Sequence, residues 1–327
     1  MTLIVKESSP LVSIVVISYN STKYIVELLD SVNCQSYKNI ELIISDDASK
    51  DDTLEKVNLW VDLNKKRFQR VSILESKKNL GICKNINRGV KAASGDWIKP
   101  IAGDDVLLND CIAANLAYAL DNSLEILFSK PDLIYENDIP DFYIKQLNRR
   151  YQESVSIFLL PAKKQFLHLL HTVFVCPPTL FISRMLLERM NYFNEDIKFS
   201  EDLPFYLKIT HNNIKLNLFN QETVKYRLHS KSAGHLNRGF ASFDGVLYKE
   251  KKKLIMRYID LKFMFEHPLH FIQISLDFFS KDLIVIFGNN RLVSIIFRSL
   301  MLFSPLFVIK QIKGIYSSFG FINFDRK

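Results

Sequence analysis

Short β-branched runs alternate with helix-spaced apolar residues over the first hundred residues, and this alternation constrains the fold more than any other feature. Val12–Ile17 is such a run, and apolar side chains then recur at helical spacing from Tyr24 to Val32. The further predicted elements are strands at 41–45, 71–74 and 97–101 and helices at 54–61 and 82–90. The order strand, helix, strand predicts an α/β fold with a doubly wound, mostly parallel sheet.

The composition is that of a folded intracellular protein. With 327 residues, 48% of them hydrophobic and 24% charged, the chain can bury a core and is neither disordered nor collagenous. Its four cysteines form no C-x-x-C pair, which argues against a disulfide framework or a structural zinc site. The first twenty residues hold only one short apolar run, so we expect no signal peptide and a cytoplasmic location.

Positive charge and phenylalanine are concentrated in the last quarter. Residues 249–327 hold 13 Lys or Arg and 6 Asp or Glu, a balance of +7, together with 12 of the 25 phenylalanines. This combination favours a membrane surface over nucleic acid as a partner. Leu292–Ile309 is the most apolar window, but Arg298 and Pro305 interrupt it, so we do not expect it to cross a bilayer. The alternative is a helical subdomain that packs on the rest of the protein.

Polar clusters follow three of the predicted strands. They are Ser18–Asn20, Asp46-Asp47 and Gly103–Asp105. Ligands of such sheets bind at the carboxyl ends of the strands, so these clusters should line one crevice. A carboxylate pair there suits Mg²⁺ or Mn²⁺, which takes its remaining ligands from water and phosphate oxygens. The alternatives are an ordinary acidic turn at Gly103–Asp105 and, after Asp46-Asp47, a helix from Thr53 capped by Ser49 or Asp51.

Taken together, these segments resemble the inverting family 2 glycosyltransferases of bacterial O-antigen and capsule synthesis, which have the nucleotide-sugar-binding GT-A fold. The segments that carry the resemblance are Val12–Asn20, Ser45–Thr53, Asn79–Gly89 and Gly95–Trp97 leading to Gly103–Asp105, with a weaker one at Phe199–Asp202. Their order and spacing also match the family over residues 11–105. The resemblance does not extend to the chain beyond residue 250.

The resemblance implies roles for individual residues toward a uridine nucleotide. Ile17, Tyr19 and Asp47 would hold its base and ribose, with Asp47 accepting a hydrogen bond from the uracil imide N–H. Lys84 and Asn87 would face the nucleotide and its phosphates from the helix after Gly81.

It also implies a metal site and a catalytic base. Asp105, with Asp104 nearby, would coordinate Mn²⁺ or Mg²⁺ bridging the diphosphate. His229, in Tyr226–His229, resembles a family element that meets the metal or the diphosphate, although this histidine and Arg227 could equally be solvated surface residues. Asp202 would be the catalytic base, since inversion needs one group to take the proton of the acceptor hydroxyl.

Two positions depart from the family pattern. Ala102 stands where many relatives carry an aspartate, so the expected metal site rests on Asp104 and Asp105. Ala48 replaces the usual glycine after the first acidic pair, and we therefore expect a turn without a left-handed residue there.

The implied reaction is transfer of a hexose, galactose or glucose, from a UDP-sugar to a polyprenyl-diphosphate-linked saccharide, with a β-linkage in the product. It would take place at the cytoplasmic face of the inner membrane, with no nucleic acid involved. The expected regions are a nucleotide-sugar-binding half at 1–110, an acceptor-binding half at 111–248 and a helical, basic and aromatic tail at 249–327. The main alternative is a non-catalytic scaffold that binds nucleotide sugars. A nucleotidyltransferase would need a glycine-rich loop after the first strand, where this chain has Ser18–Ser21.

Overall fold

A computed structural model describes residues 9–136, 139–142, 155–171, 177–196, 202–229 and 245–288, with a few isolated positions between and after these ranges. The chain divides into two compact units, residues 1–240 and residues 241–327.

The first unit is built on an eight-stranded sheet. Its strands are β1 Val12–Ser18, β2 Ile40–Asp46, β3 Val71–Glu75, β4 Trp97–Ala102, β5 Val106–Leu107, β6 Ile126–Tyr135, β7 Phe181–Ser183 and β8 Leu218–Leu228. The strand order is β3-β2-β1-β4-β7-β6-β8-β5. The first four strands pair in parallel, β7 is antiparallel to both β4 and β6, and β8 is parallel to β6 but antiparallel to β5. The predicted α/β fold and its four strands are confirmed.

Helices cover both faces of the parallel strands. The helices of this unit are α1 Ile25–Asn33, α2 Thr53–Asn64, α3 Ile82–Ala92, α4 Cys111–Asp121, α5 Ala162–Leu169, α6 Arg184–Arg189 and α7 Asp202–His211. Side chains alternate between the faces of a strand, and on β1 Val12, Ile14 and Val16 join the main core with α1, α2 and α4. The other face of β1, at Val15, meets α3.

Gly89 allows α3 to approach the sheet closely. A Cβ atom at this position would lie 2.5 Å from Val15 Cγ1 and 3.4 Å from the Cβ atom of Ser45. The φ of Gly89 is not in the left-handed region, so glycine is required here because a Cβ atom has no room. The close packing fixes the start of α3, at Gly81, beside the carboxyl ends of β1 and β2.

The second unit is helical, as the sequence predicts for the tail. Its described helices are α8 Gly245–Met256, α9 Leu261–Glu266 and α10 Pro268–Phe287. Tyr248 of α8 donates a hydrogen bond to Asp282 Oδ1 of α10 at 2.7 Å, and Lys252 forms an ion pair with the same carboxylate. Within the described part of the chain, none of the helices combines the length and apolar character needed to cross a bilayer. Most of the window Leu292–Ile309 lies outside the described residues.

Candidate active site

The carboxylate of Asp46 is used within its own loop. Its Oδ2 accepts hydrogen bonds from the hydroxyls of Ser18, at 2.9 Å, and Ser49, at 2.5 Å, while Oδ1 accepts the backbone N–H of Ser49 at 2.8 Å. Asp46 therefore holds the turn that follows β2 against the end of β1.

Asp47 connects this turn to the start of α3. Its backbone N–H donates to Ser18 O, and its buried carboxylate accepts the backbone N–H groups of Leu80 and Gly81, each at 2.8 Å. Each carboxylate oxygen has a second lone pair, so Asp47 can accept further hydrogen bonds. Gly81 has φ +86°, a left-handed value that glycine adopts without strain.

The turn after Asp47 does contain a left-handed residue, contrary to the expectation from its sequence. Ala48 has φ +64°. The hydrogen bonds between Asp46 and Ser49 reverse the chain over this residue, so tertiary contacts override the preference of alanine for negative φ. Of the two predicted capping residues, Asp51 accepts the N–H of Thr53 at 3.1 Å, whereas Ser49 is bonded to Asp46.

Ile17 is the last residue but one of β1, and Tyr19 follows directly after the strand. The predicted roles of both residues need an accessible surface, and Ile17 is partly exposed while Tyr19 is 45% exposed. The backbone N–H of Gly103 donates to Ile17 O at 2.9 Å, which brings the loop after β4 to the same edge. The three polar clusters thus meet at one end of the sheet.

Lys84 and Asn87 differ in their surroundings. Lys84 is exposed on the first turn of α3, whereas Asn87 is buried. The Asn87 amide nitrogen donates to Phe193 O and to Glu195 Oε1, both at 2.8 Å, and its oxygen accepts the N–H of Phe193. Both amide hydrogens are thus donated within the protein, and the role of Asn87 toward the nucleotide stays a prediction.

Arg88, which the sequence analysis missed, supports the site from behind. Its Nη2 donates to the backbone oxygens of Asp46, at 2.5 Å, and Leu74, at 3.1 Å. These oxygens lie at the ends of β2 and β3, so the guanidinium joins the two strand ends. The sequence could have indicated this role, because Arg88 lies on the face of α3 that turns toward the sheet.

Asp104 and Asp105 follow β4, and the structure brings His229 to them. Asp105 is only 2% exposed, and its Oδ1 accepts the backbone N–H of Arg227 at 3.0 Å. His229 Nε2 lies 3.0 Å from Asp104 Oδ2 although 125 residues separate them in sequence. Burial raises the pKa of the Asp105 carboxyl well above its ordinary value, and the charge of Asp104 raises it further.

Asp104, Asp105 and His229 are of the residue types that bind divalent cations. Carboxylate oxygens are preferred ligands of Mg²⁺ and Mn²⁺, and imidazole is a ligand of several transition metals. A cation would also offset the repulsion that raises the pKa of Asp105. Over the described ranges, no group of three or more His, Cys, Asp or Glu is arranged around a metal position. An ion held here would therefore need ligands from water and from a bound substrate.

Asp202 lies at the start of a helix. It is the first residue of α7, which packs on α5. The preceding residues of the predicted motif, Phe199, Ser200 and Glu201, lie outside the described residues. Its assignment as the catalytic base stays a prediction.

An α/β fold with this strand order, and with acidic pairs at the ends of β2 and β4, is the arrangement of a GT-A glycosyltransferase. The Glycosyl transferase family 2 profile matches residues 13–190, more than half of the chain. The protein belongs to this family and is a glycosyltransferase. An uncharacterised glycosyltransferase of Rickettsia typhi is 29% identical over 257 residues, which are 76% of this chain and 75% of the relative.

Solved structures show the same fold. S. aureus TarS 1-349 in complex with UDP-GlcNAc superposes with a TM-score of 0.59 at 21% identity, over 84% of this chain and 72% of that one. The mannosyltransferase PcManGT from Pyrobaculum calidifontis, in complex with GDP-Man and Mn²⁺, gives a TM-score of 0.51 at 20% identity, over 69% and 59% of the two chains. The predicted GT-A fold is confirmed.

Proposed function

We propose that this glycosyltransferase moves a hexose, galactose or glucose, from a UDP-sugar to a hydroxyl of a polyprenyl-diphosphate-linked saccharide, with inversion and a β-linkage in the product. The product would be a repeat unit of an O-antigen or capsule. The observation that carries the proposal is the meeting of Tyr19, Asp47 and the Asp104-Asp105 pair at the carboxyl edge of β1, β2 and β4.

The donor site is proposed at the ends of β1 and β2. The exposed ring of Tyr19 offers a surface for the base or ribose, and the free lone pairs of Asp47 can accept the uracil imide N–H. Exposed Lys84 would meet the phosphates. Crystals of TarS with UDP and with UDP-GlcNAc support a uridine nucleotide as the donor.

The leaving group is proposed to lie between β4 and β8. Ligands from among Asp104, Asp105 and His229, together with water and the diphosphate, would hold Mn²⁺ or Mg²⁺, which supplies positive charge for the diphosphate when bound. PcManGT binds GDP-Man together with Mn²⁺, which supports a divalent ion. Asp202 would take the proton of the acceptor hydroxyl, and inversion requires only this one base.

The second unit is proposed to bind the membrane surface where the lipid-linked acceptor lies. We define the α10 stripe as Leu269, Ile272, Leu276, Phe279, Leu283 and Ile286. These residues recur every three or four positions, so they share one side of the helix, and four of them are among the exposed large apolar side chains. Exposed Lys249, Lys253 and Arg257 on and after α8 add the positive charge that favours anionic lipid.

A donor panel tests the reaction. Purified protein with Mn²⁺ or Mg²⁺ is given each UDP-sugar and a synthetic lipid-diphosphate-GlcNAc or -GalNAc acceptor, and the product is weighed by mass spectrometry. We expect a metal-dependent mass gain with one UDP-hexose. Asp105→Ala and Asp202→Ala should abolish transfer, while Asp62→Ala, at an exposed position of α2, should not. A fully active Asp202→Ala enzyme would refute the base, and UDP binding without transfer or hydrolysis for any donor would favour the scaffold alternative.

Vesicle flotation tests the membrane proposal. The full chain is mixed with vesicles of phosphatidylcholine alone or with phosphatidylglycerol, and we expect binding only to the anionic vesicles. Leu269→Ser combined with Phe279→Ser should release the protein. Leu63→Ser, which changes an exposed leucine of α2, is the control. Equal flotation of the double variant would contradict a role of the α10 stripe.

A further inference from the structure

Arg227 of β8 contacts both aspartates of the proposed metal site. Its backbone N–H donates to Asp105 Oδ1 at 3.0 Å, and its side-chain Nε donates to the backbone oxygen of Asp104 at 2.9 Å. Only 8% of the Arg227 side chain is exposed. The arginine therefore lies behind the carboxylates and fixes both the loop and one side chain.

The far end of the same guanidinium is held by two glutamates from distant parts of the chain. Nη2 lies 2.7 Å from Glu27 Oε2 on α1, and Nη1 lies 3.2 Å from Glu136 Oε1 just after β6. Glu136 also pairs with Lys23 at 3.0 Å. An arginine fork donates in fixed directions, so these contacts restrict its rotation as well as its position.

An aromatic ring joins this cluster to His229. The guanidinium carbon of Arg227 lies 4.7 Å from the ring centre of Tyr24, and the same ring is 5.2 Å from that of His229. His229 in turn contacts Asp104. Asp104, Asp105 and His229 are thus all supported, directly or through one residue, by Arg227.

We propose that Arg227 is a positioning residue that sets Asp104, Asp105 and His229 in the arrangement needed to bind a divalent cation, with Glu27 and Glu136 holding its guanidinium in place. This inference rests on the proposed function, since it concerns the metal site of that reaction. In this proposal Arg227 acts through these ligands and does not itself touch the reacting atoms or the cation.

Removal of Arg227 should change the affinity for the cation in opposite directions, depending on whether the arginine acts through its charge or by positioning the ligands. A guanidinium beside a cation site repels the cation, so its loss acting through charge alone would strengthen binding. Loss of support for the ligands would weaken binding, and changes behind metal ligands commonly cost about 10-fold to 100-fold in affinity. The direction of the change therefore separates the two roles.

The test measures Mn²⁺ binding in the presence of saturating UDP, from the electron paramagnetic resonance signal of free Mn²⁺. We expect Arg227→Met to weaken binding by about 10-fold or more. Arg227→Lys should weaken it less, because it keeps the charge and one donor nitrogen but not the planar fork. Arg189→Met removes an arginine paired with Glu125 outside the site and should change nothing. Unchanged or tighter binding by Arg227→Met overturns the inference.

A second measurement needs no metal. In hydrogen exchange of the full chain without metal or nucleotide, Arg227→Met should speed exchange in peptides covering residues 103–105, while peptides covering β2 stay protected. If Arg227→Met does not fold, the two measurements are made on Arg227→Lys and Glu27→Gln instead. Unchanged hydrogen exchange and unchanged Mn²⁺ binding in these two variants would overturn the inference. Failure of the unchanged protein to bind Mn²⁺ with UDP would instead count against the proposed function.

Discussion

The carboxylate of Asp47 accepts the backbone N–H of Gly81 at 2.8 Å, and this bond joins the end of β2 to the start of α3. The other oxygen of Asp47 accepts the N–H of Leu80 over the same distance. A single side chain thus fixes the end of β2, where we propose that the uracil base binds, relative to the start of α3. This arrangement needs two acceptor oxygens on one side chain, which a carboxylate provides.

Asp47→Asn should weaken UDP binding by about tenfold or more. An amide has one oxygen and one NH₂ group, so it cannot accept both backbone N–H groups, and one would lose its partner at a cost of about 1 to 3 kcal/mol. Calorimetric titration with UDP measures the change. Asp62→Asn, at an exposed position of α2, is the control. An unchanged UDP affinity of Asp47→Asn would contradict its proposed place in the donor site.

Ala48→Gly should stabilise the protein by about 1 kcal/mol. Ala48 has φ +64°, where an L-residue costs about 1 to 2 kcal/mol and glycine does not, although glycine also gains freedom in the unfolded chain. Denaturant unfolding measures the change. Ala117→Gly, at an exposed position inside α4, should destabilise by about 1 kcal/mol. If Ala48→Gly destabilises the protein as Ala117→Gly does, the left-handed φ of Ala48 is not a source of strain.

The strands could be predicted because their signal is local, whereas the contacts of the site are not local. Val12–Ile17 carries its own β-branched pattern, and its neighbours follow from chain order. Ala48 could not be foreseen as left-handed, because that conformation is imposed by the bonds between Asp46 and Ser49. The support of Asp105 by Arg227 spans 122 residues and depends on where β8 enters the sheet. Residue types alone could not specify it.

Gly89→Ala should destabilise the protein by about 1 to 3 kcal/mol. The new methyl group would lie 2.5 Å from Val15 Cγ1, so α3 or β1 must shift to admit it. Adding Val15→Ala removes the atom in the way and should recover part of the loss. Denaturant unfolding of the single and double variants measures the coupling between the two positions. Strictly additive losses would contradict a direct clash.

Glu41, near the N-terminal end of β2 and so at the other end of the strand from the proposed site, should make stability depend on pH. Its Oε1 accepts from the Ser13 hydroxyl and from the backbone N–H groups of Ser94 and Gly95, and Oε2 accepts from the Ser94 hydroxyl and Arg70. Burial acts to raise the pKa of Glu41, but these donors outweigh it and hold the pKa below its ordinary value of 4.5.

Because the pKa is lowered in the folded state, the stabilisation is complete above about pH 4.5 and is lost as the pH falls through the folded-state value. Glu41→Gln removes the charge and leaves some of the buried donors without an acceptor, so it should cost about 2 to 4 kcal/mol near neutral pH. Urea unfolding of both proteins at about pH 7 and about pH 3.5 measures this, and the difference between them should shrink at the lower pH. A difference that stays constant across this range would mean that Glu41 is not the group whose protonation weakens the fold.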